Sequence, residues 1–158
     1  MLSTVTRRAT PPPHDALTLQ DASLLLGRRP RVLLAEDDDE VRWSLTALFL
    51  NNGFDVQAVS DGAQLLNELE RVILGERGRQ PPDVIITDVR MPGFNALNIM
   101  AGLRDAGWQT PMMVISAFGD STLRQRVHQL GAARFFDKPL DLDAFEAAVC
   151  SAAAERRG

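Results

Sequence analysis

Between residues 31 and 149 short apolar runs alternate, five times over, with segments whose apolar residues recur at helical spacing. The runs are Arg31–Ala35, Phe54–Val59, Asp83–Thr87, Pro111–Ser116 and Arg134–Phe136. Val41, Leu45, Leu48 and Phe49 share one helical face, as do Leu65, Leu69, Val72 and Ile73. Leu123, Val127 and Leu130 share another, and Leu142, Phe145 and Val149 supply a last one. Such alternation constrains the fold to α/β, because each strand reaches the next through a right-handed helical crossover. The third and fourth runs are almost wholly apolar, which predicts strands buried on both faces. Asn52-Gly53 and Leu130-Gly131 read as helix stops, and Gly75–Pro82 as a polar loop. In a parallel sheet ligands bind beyond the carboxyl ends of the strands. The residues just after each run are therefore the ones that bear on function.

Residues 1–30 read as an extension, disordered or loosely docked, in front of a domain spanning 31–155. Thr10-Pro11-Pro12-Pro13 is polyproline-like, and a short helix over Leu17–Leu26 is closed off by Gly27 and Pro30. The expectation is that this extension is dispensable for stability. A chain of 158 residues has room for one such domain and no second catalytic one. Too few residues follow the last helix for a helix-turn-helix, so no output domain is expected. The formal charge of -4 argues against direct nucleic-acid binding. One cysteine, Cys150, and two histidines provide neither an internal disulfide nor a zinc ligand set. No apolar run approaches the length of a membrane span, and none of signal-peptide length follows Arg7 and Arg8. A cytoplasmic location without membrane insertion is expected.

The strand ends carry the chemistry. Glu36-Asp37-Asp38-Asp39-Glu40 follows the first run, Asp88 the third, Ser116 the fourth and Lys138 the fifth. Carboxylates gathered in one crevice repel unless a cation intervenes, and Mg2+ suits a site offering one or two carboxylates with water and phosphate oxygens. Asp38 or Asp39 alone reads as a helix cap. Lys138 stands out, since 16 of the 17 basic residues are Arg and it is the remaining one. A compact ammonium suits a phosphate where a planar guanidinium does not. A phosphate-binding Gly-x4-Gly-Lys-Ser/Thr loop, a dinucleotide Gly-x-Gly-x-x-Gly and a Gly-x-Ser-x-Gly nucleophile frame are all absent.

Leu33-Leu34-Ala35-Glu36-Asp37-Asp38, Ile86-Thr87-Asp88-Val89-Arg90-Met91-Pro92-Gly93, Ser116-Ala117-Phe118-Gly119-Asp120 and Lys138-Pro139 resemble, in order, the motifs of the receiver domain of bacterial two-component response regulators. The resemblance runs from residue 31 to about 152. It implies a flavodoxin-like (βα)5 three-layer sandwich with sheet order 2-1-3-4-5. Asp88 matches the phospho-accepting aspartate. Asp37 matches a direct Mg2+ ligand, Glu36 one acting through water, and the Arg90 backbone carbonyl a third. Ser116 matches the switch hydroxyl, Lys138 the phosphate-pairing lysine and Phe135 the switch aromatic. The implied partners are a sensor histidine kinase or a histidine phosphotransferase, with an unknown downstream protein target. Asn95-Ala96 stands where the family often has Asp-Gly, Phe135 lacks a tyrosine hydroxyl, and the Gly75–Pro82 loop is long. None of these removes a group the chemistry requires.

Two other functions fit parts of the pattern. Asp37-Asp38-Asp39-Glu40-Val41 matches the Asp-x-Asp-x-Thr/Val motif of haloacid-dehalogenase-like phosphatases, but no late acidic pair follows Lys138 and Asp88 is left idle. A receiver-shaped interaction module that is never phosphorylated is the other, although such modules usually lack one of the key residues, and this chain has them all.

Overall fold

The computed structural model describes residues 19–117, 121–131 and 133–155. Five parallel strands form the main sheet: β1 (Arg31–Ala35), β2 (Asp55–Val59), β3 (Val84–Asp88), β6 (Met112–Ser116) and β7 (Ala133–Asp137). Their order is β2-β1-β3-β6-β7, the expected 2-1-3-4-5 arrangement. A two-stranded antiparallel hairpin, β4 (Arg90–Met91) with β5 (Phe94–Asn95), follows β3. Periodicity gives no sign of it, since two residues per strand hold no period. The helices are α1 (Leu19–Leu26), α2 (Asp39–Asn51), α3 (Gly62–Ile73), α4 (Ala96–Asp105), α5 (Ser121–Gln129) and α6 (Leu142–Glu155). None among the described residues is long and apolar enough to cross a membrane.

Strand pleating sorts the core into two layers. Val32 and Leu34 of β1, Val84 and Ile86 of β3 and Met113 and Ile115 of β6 face Leu45 and Phe49 of α2 and Phe145 and Val149 of α6. Leu33, Ile85, Met112 and Val114 face the other way, onto Leu65 and Leu69 of α3, Ile99, Met100 and Leu103 of α4 and Val127 of α5. Every residue of β3 and β6 is buried, as their apolar runs require. Phe49 meets Phe54 and Phe145 edge-on, with ring centroids 5.2 and 6.0 Å apart, which locks α2 to α6 above the sheet. The long loop after α3 is tied back to it by Arg79–Glu68 (3.0 Å) and Arg71–Glu76 (2.6 Å).

The expected extension divides in two. Residues 1–18 lie outside the described residues, including the triple proline and Arg7 and Arg8, as do 156–158 at the other end. Residues 19–26 form α1, which lies against α6. Arg28 reaches the fully buried Asp83, its Nη1 and Nη2 donating to the two carboxylate oxygens at 2.8 and 3.0 Å, while Arg31 N donates to the same carboxylate at 2.7 Å. A partner of a buried carboxylate thus belongs to the segment expected to be dispensable.

Arg104, on the last turn of α4, has a comparable role at the opposite end of the sheet from the strand carboxyl ends. Its Nε donates to Leu130 O (3.1 Å), Nη1 to Trp108 O and Thr110 O (2.9 and 3.0 Å) and Nη2 to Gly131 O (3.0 Å). One side chain thus fixes the exit of α4, the entry to β6 and the turn after α5. Arg104→Met is expected to lower unfolding free energy by about 3 kcal/mol, since charge-assisted bonds are lost and the carbonyls go unsatisfied. An unchanged urea midpoint would contradict this.

Candidate functional site

The strand ends bring together the residues that the sequence singled out. Glu36 follows β1 and is wholly buried, Asp37 is exposed at the rim, and Asp88 ends β3, nearly buried. Carboxylate oxygens from all three lie within 4.8 Å of one another. Asp88 is the last residue of the central strand, one position further into the sheet than the apolar run suggests. Its Oδ1 accepts from Arg90 N at 2.9 Å and its Oδ2 from Lys138 Nζ at 2.9 Å. The same ammonium donates to Glu36 Oε1 at 3.1 Å. A single cation therefore bridges two of the three carboxylates.

Local structure explains why each group stays in place. Asp38 caps α2, accepting from Val41 N at 3.1 Å, and its own N–H donates to Glu36 Oε1 at 3.2 Å. Asp39 pairs with Arg42, whose Nη1 also donates to Glu36 O at 2.9 Å. The second and third aspartates of the acidic run thus serve the start of α2. Lys138 is set by its backbone N–H, which donates to Ser116 O at 2.8 Å; its peptide bond to Pro139 is cis. Ser116 ends β6, buried, paired across the sheet with Asp137. Residues 118–120 of the fourth motif lie outside the described residues. Phe135 on β7 is half-buried, with the Arg124 guanidinium 4.7 Å from its ring centroid, and that guanidinium also pairs with Asp137 at 2.7 Å. No sequence pattern marks the contributions of Arg42 and Arg124. Their partners lie a helical turn or an element away, and arginine is too frequent in this chain to be a signal.

The electrostatics leave a deficit of positive charge. Burial, and then the charge on Asp88, push the Glu36 carboxyl up to about 7, against the pull of hydrogen bonds from Lys138 and Asp38 N–H. Burial draws Lys138 down, but its bonds and charge contacts with Asp88 and Glu36 outweigh that and leave it raised. Glu36 Oε2 is buried with no hydrogen-bond partner. An orphaned carboxylate oxygen, two neighbouring carboxylates and an all-oxygen donor set fit a hard divalent cation. A carboxyl whose folded pKa exceeds its unfolded value costs stability as pH rises from the ordinary carboxylate range through about 7. Metal-free protein is thus expected to lose stability between about pH 5 and pH 8 through Glu36, and Mg2+ to raise the melting temperature far more at the higher pH. Equal stabilisation by Mg2+ at both values in thermal melts would contradict it.

Known proteins resemble this chain in sequence and in fold. A model of the response regulator receiver domain matches residues 32–150. The transcriptional regulatory protein FixJ of Azorhizobium caulinodans is 36% identical over 118 residues, covering 75% of this chain and 52% of that protein. The response regulator protein TodT of Pseudomonas putida is 31% identical over 108 residues, covering 68% and 44%. The DNA-binding transcriptional regulator NtrC of Escherichia coli K12 is 27% identical over 116 residues, covering 73% and 23%. The chain thus spans about a quarter to a half of the length of these relatives. Among solved structures, the Francisella response regulator 1452 receiver domain superposes with a TM-score of 0.69 at 24% identity, covering 79% of this chain and 97% of its own. The chemotaxis response regulator CheY4 of Vibrio cholerae does so with 0.66 at 20%, covering 78% and 98%. These two likenesses bear on the fold, and the family match covers three quarters of the sequence. The chain belongs to the response regulator receiver domain family.

Proposed function

We propose that Asp88 accepts a phosphoryl group from the phosphohistidine of a sensor histidine kinase or a histidine phosphotransferase, and that Ser116 and Phe135 convert the added charge into a changed protein-binding face. The observation that carries this reading is the Asp88 carboxylate at the end of the central strand, held by Arg90 N–H on one oxygen and by Lys138 on the other. A carboxylate oxygen of Asp88 attacks phosphorus in line, the bond from phosphorus to the imidazole nitrogen breaks, and an acyl phosphate forms. Glu36, Asp37, Asp88 and the Arg90 carbonyl would hold Mg2+, which when bound neutralises the phosphoryl oxygens. Lys138 then exchanges a carboxylate oxygen for a phosphoryl oxygen. Ser116 donates to another, and Phe135 leaves the Arg124 guanidinium to turn inward. The face so remodelled comprises α5, β7 and α6, and its target is a downstream protein.

Family members are not classical enzymes, and the chemistry proposed for this chain is confined to its own phosphorylation and dephosphorylation. The receiver unit is residues 31–155, with 1–30 as an extension docked on it through α1 and Arg28, and its setting is the cytoplasm. Acetyl phosphate with Mg2+ is expected to label the wild-type chain once, whereas an unlabelled chain would favour a receiver-shaped interaction module. Lys138→Arg is expected to fold but to label at least about tenfold more slowly, a loss of ~1.4 kcal/mol, because a planar fork replaces a point charge between two close carboxylates. Labelling at the wild-type rate would mean that charge alone suffices at this position.

A further inference from the structure

We propose that Gly62, the first residue of α3, is a positioning residue for the acidic site, acting through Phe94 on the hairpin that carries Arg90. The inference rests on the reading of Asp88 and its neighbours as the Mg2+ and phospho-acceptor site. Gly62 does not adopt the left-handed backbone that usually explains a glycine. It is the first helical residue after the Asp61 cap and has no positive φ, so its backbone conformation does not call for glycine. The reason for glycine is space. A Cβ at this position would lie 2.2 Å from Phe94 Cβ, 2.3 Å from Cγ and 2.8 Å from Cδ2.

The identity of those atoms decides what must move. A ring tip could swing aside, but Cβ is fixed to the Phe94 backbone, and no side-chain rotation relieves that contact. Carbon atoms pack at roughly 3.5–4.0 Å, so the start of α3 and β5 would have to part by more than ~1 Å. On the β5 side the displaced backbone is short and stiff. Met91 pairs with Phe94 and Arg90 with Asn95 across a Pro92-Gly93 turn, in which Gly93 has φ 78°. Proline followed by a positive-φ glycine fits a type II turn, so the four strand residues shift together. The far end of the hairpin is tied to α4, since Asn95 Oδ1 accepts from Leu97 N at 2.9 Å.

Arg90 is the residue through which that shift reaches the site. Its N–H donates to Asp88 Oδ1 at 2.9 Å, and its carbonyl is the third expected ligand. Moving the hairpin therefore alters one hydrogen bond to the phospho-acceptor and the place of one ligand oxygen, without touching a carboxylate. The chain can still fold. Beside Phe94 lies a groove of about 460 Å3, lined in part by Leu66, Ile73, Ile99 and Leu103, into which the ring can retreat.

A double-mutant cycle tests the inference. Gly62→Ala is expected to weaken Mg2+ binding by at least about tenfold in calorimetric titration, in the range seen for groups that orient metal ligands. It should also shift the Arg90 amide resonance in metal-free protein. In a Phe94→Gly background, which lacks the clashing atoms, Gly62→Ala should change neither quantity. Unchanged affinity and an unmoved Arg90 amide in the single variant would overturn the proposal, as would equal effects in both backgrounds. Should Gly62→Ala alone fail to fold, the chain with both substitutions must fold, and its failure would also overturn it. A wild-type chain that binds no Mg2+ while the Arg90 amide still moves on substitution would instead sink the reading of the site and leave the coupling standing.

Discussion

Asp88→Asn is expected to abolish labelling by acetyl phosphate while leaving a folded chain. The amide is nearly isosteric, yet its nitrogen and weakly nucleophilic oxygen cannot displace a leaving group from phosphorus to give a stable acyl phosphate. A loss of about a thousandfold or more is the scale expected when the sole nucleophile of a group transfer is removed. The same change removes the charge that, after burial, contributes most to raising Glu36. The Glu36 carboxyl should therefore titrate lower in Asp88→Asn than in the wild type, which carboxyl carbon NMR can follow. Two separate readouts thus come from one substitution. Label persisting on the variant would place the phosphoryl group elsewhere, with Glu36 and Asp37 the neighbouring carboxylates. Label lost with Glu36 unmoved would keep the acceptor but contradict the account of the charge balance around it.

Much of the fold was legible because its signals are periodic. Val84, Ile85 and Ile86 read as a strand buried on both faces, and both layers of side chains cover it. Leu45 with Phe49, and Leu65 with Leu69, read as helix faces and pack where the pattern puts them. The chemical groups were legible for a related reason. Strand ends of a parallel sheet converge, so the acidic run 36–40, Asp88, Ser116 and Lys138 could be grouped from their order along the chain. The choice of Glu36 and Asp37 within the run came from the resemblance to receiver domains. The illegible part consists of contacts between particular pairs distant in sequence. Periodicity shows which face of an element is buried and says nothing of which atom it meets. Gly62 drew no reading at all, because the reason for it is Phe94, on a hairpin too short to have a pattern. Arg104 read as one more arginine, because its partners are backbone carbonyls that leave no trace in residue identity. Asp83 opens an otherwise apolar strand, and nothing in the sequence tied that charge to Arg28, its partner 55 residues earlier.

Removal of residues 1–30 is accordingly expected to destabilise the domain. Reading the extension from its prolines and short apolar stretch predicts no effect, whereas the contacts of α1 and Arg28 predict a large one. Asp83 is almost wholly buried at the foot of β3, next to the β1 residue Arg31 whose N–H it accepts. Without Arg28 that carboxylate keeps its backbone donor and loses the guanidinium that matches both oxygens. Taking away one partner of a buried pair costs roughly 3–5 kcal/mol, and the low end, about 3, applies because the Arg28 side chain is 37% exposed. The α1 contacts with α6 are lost as well. Two variants separate these contributions. Arg28→Met keeps α1 in the chain and removes only the ion pair, so it should account for most of the loss. A chain starting at Gly27 keeps the ion pair and lacks α1, so it should account for the remainder. A chain starting at Arg31 that unfolds at the wild-type midpoint would show that the Arg28–Asp83 pair contributes nothing net. The extension would then be separable after all.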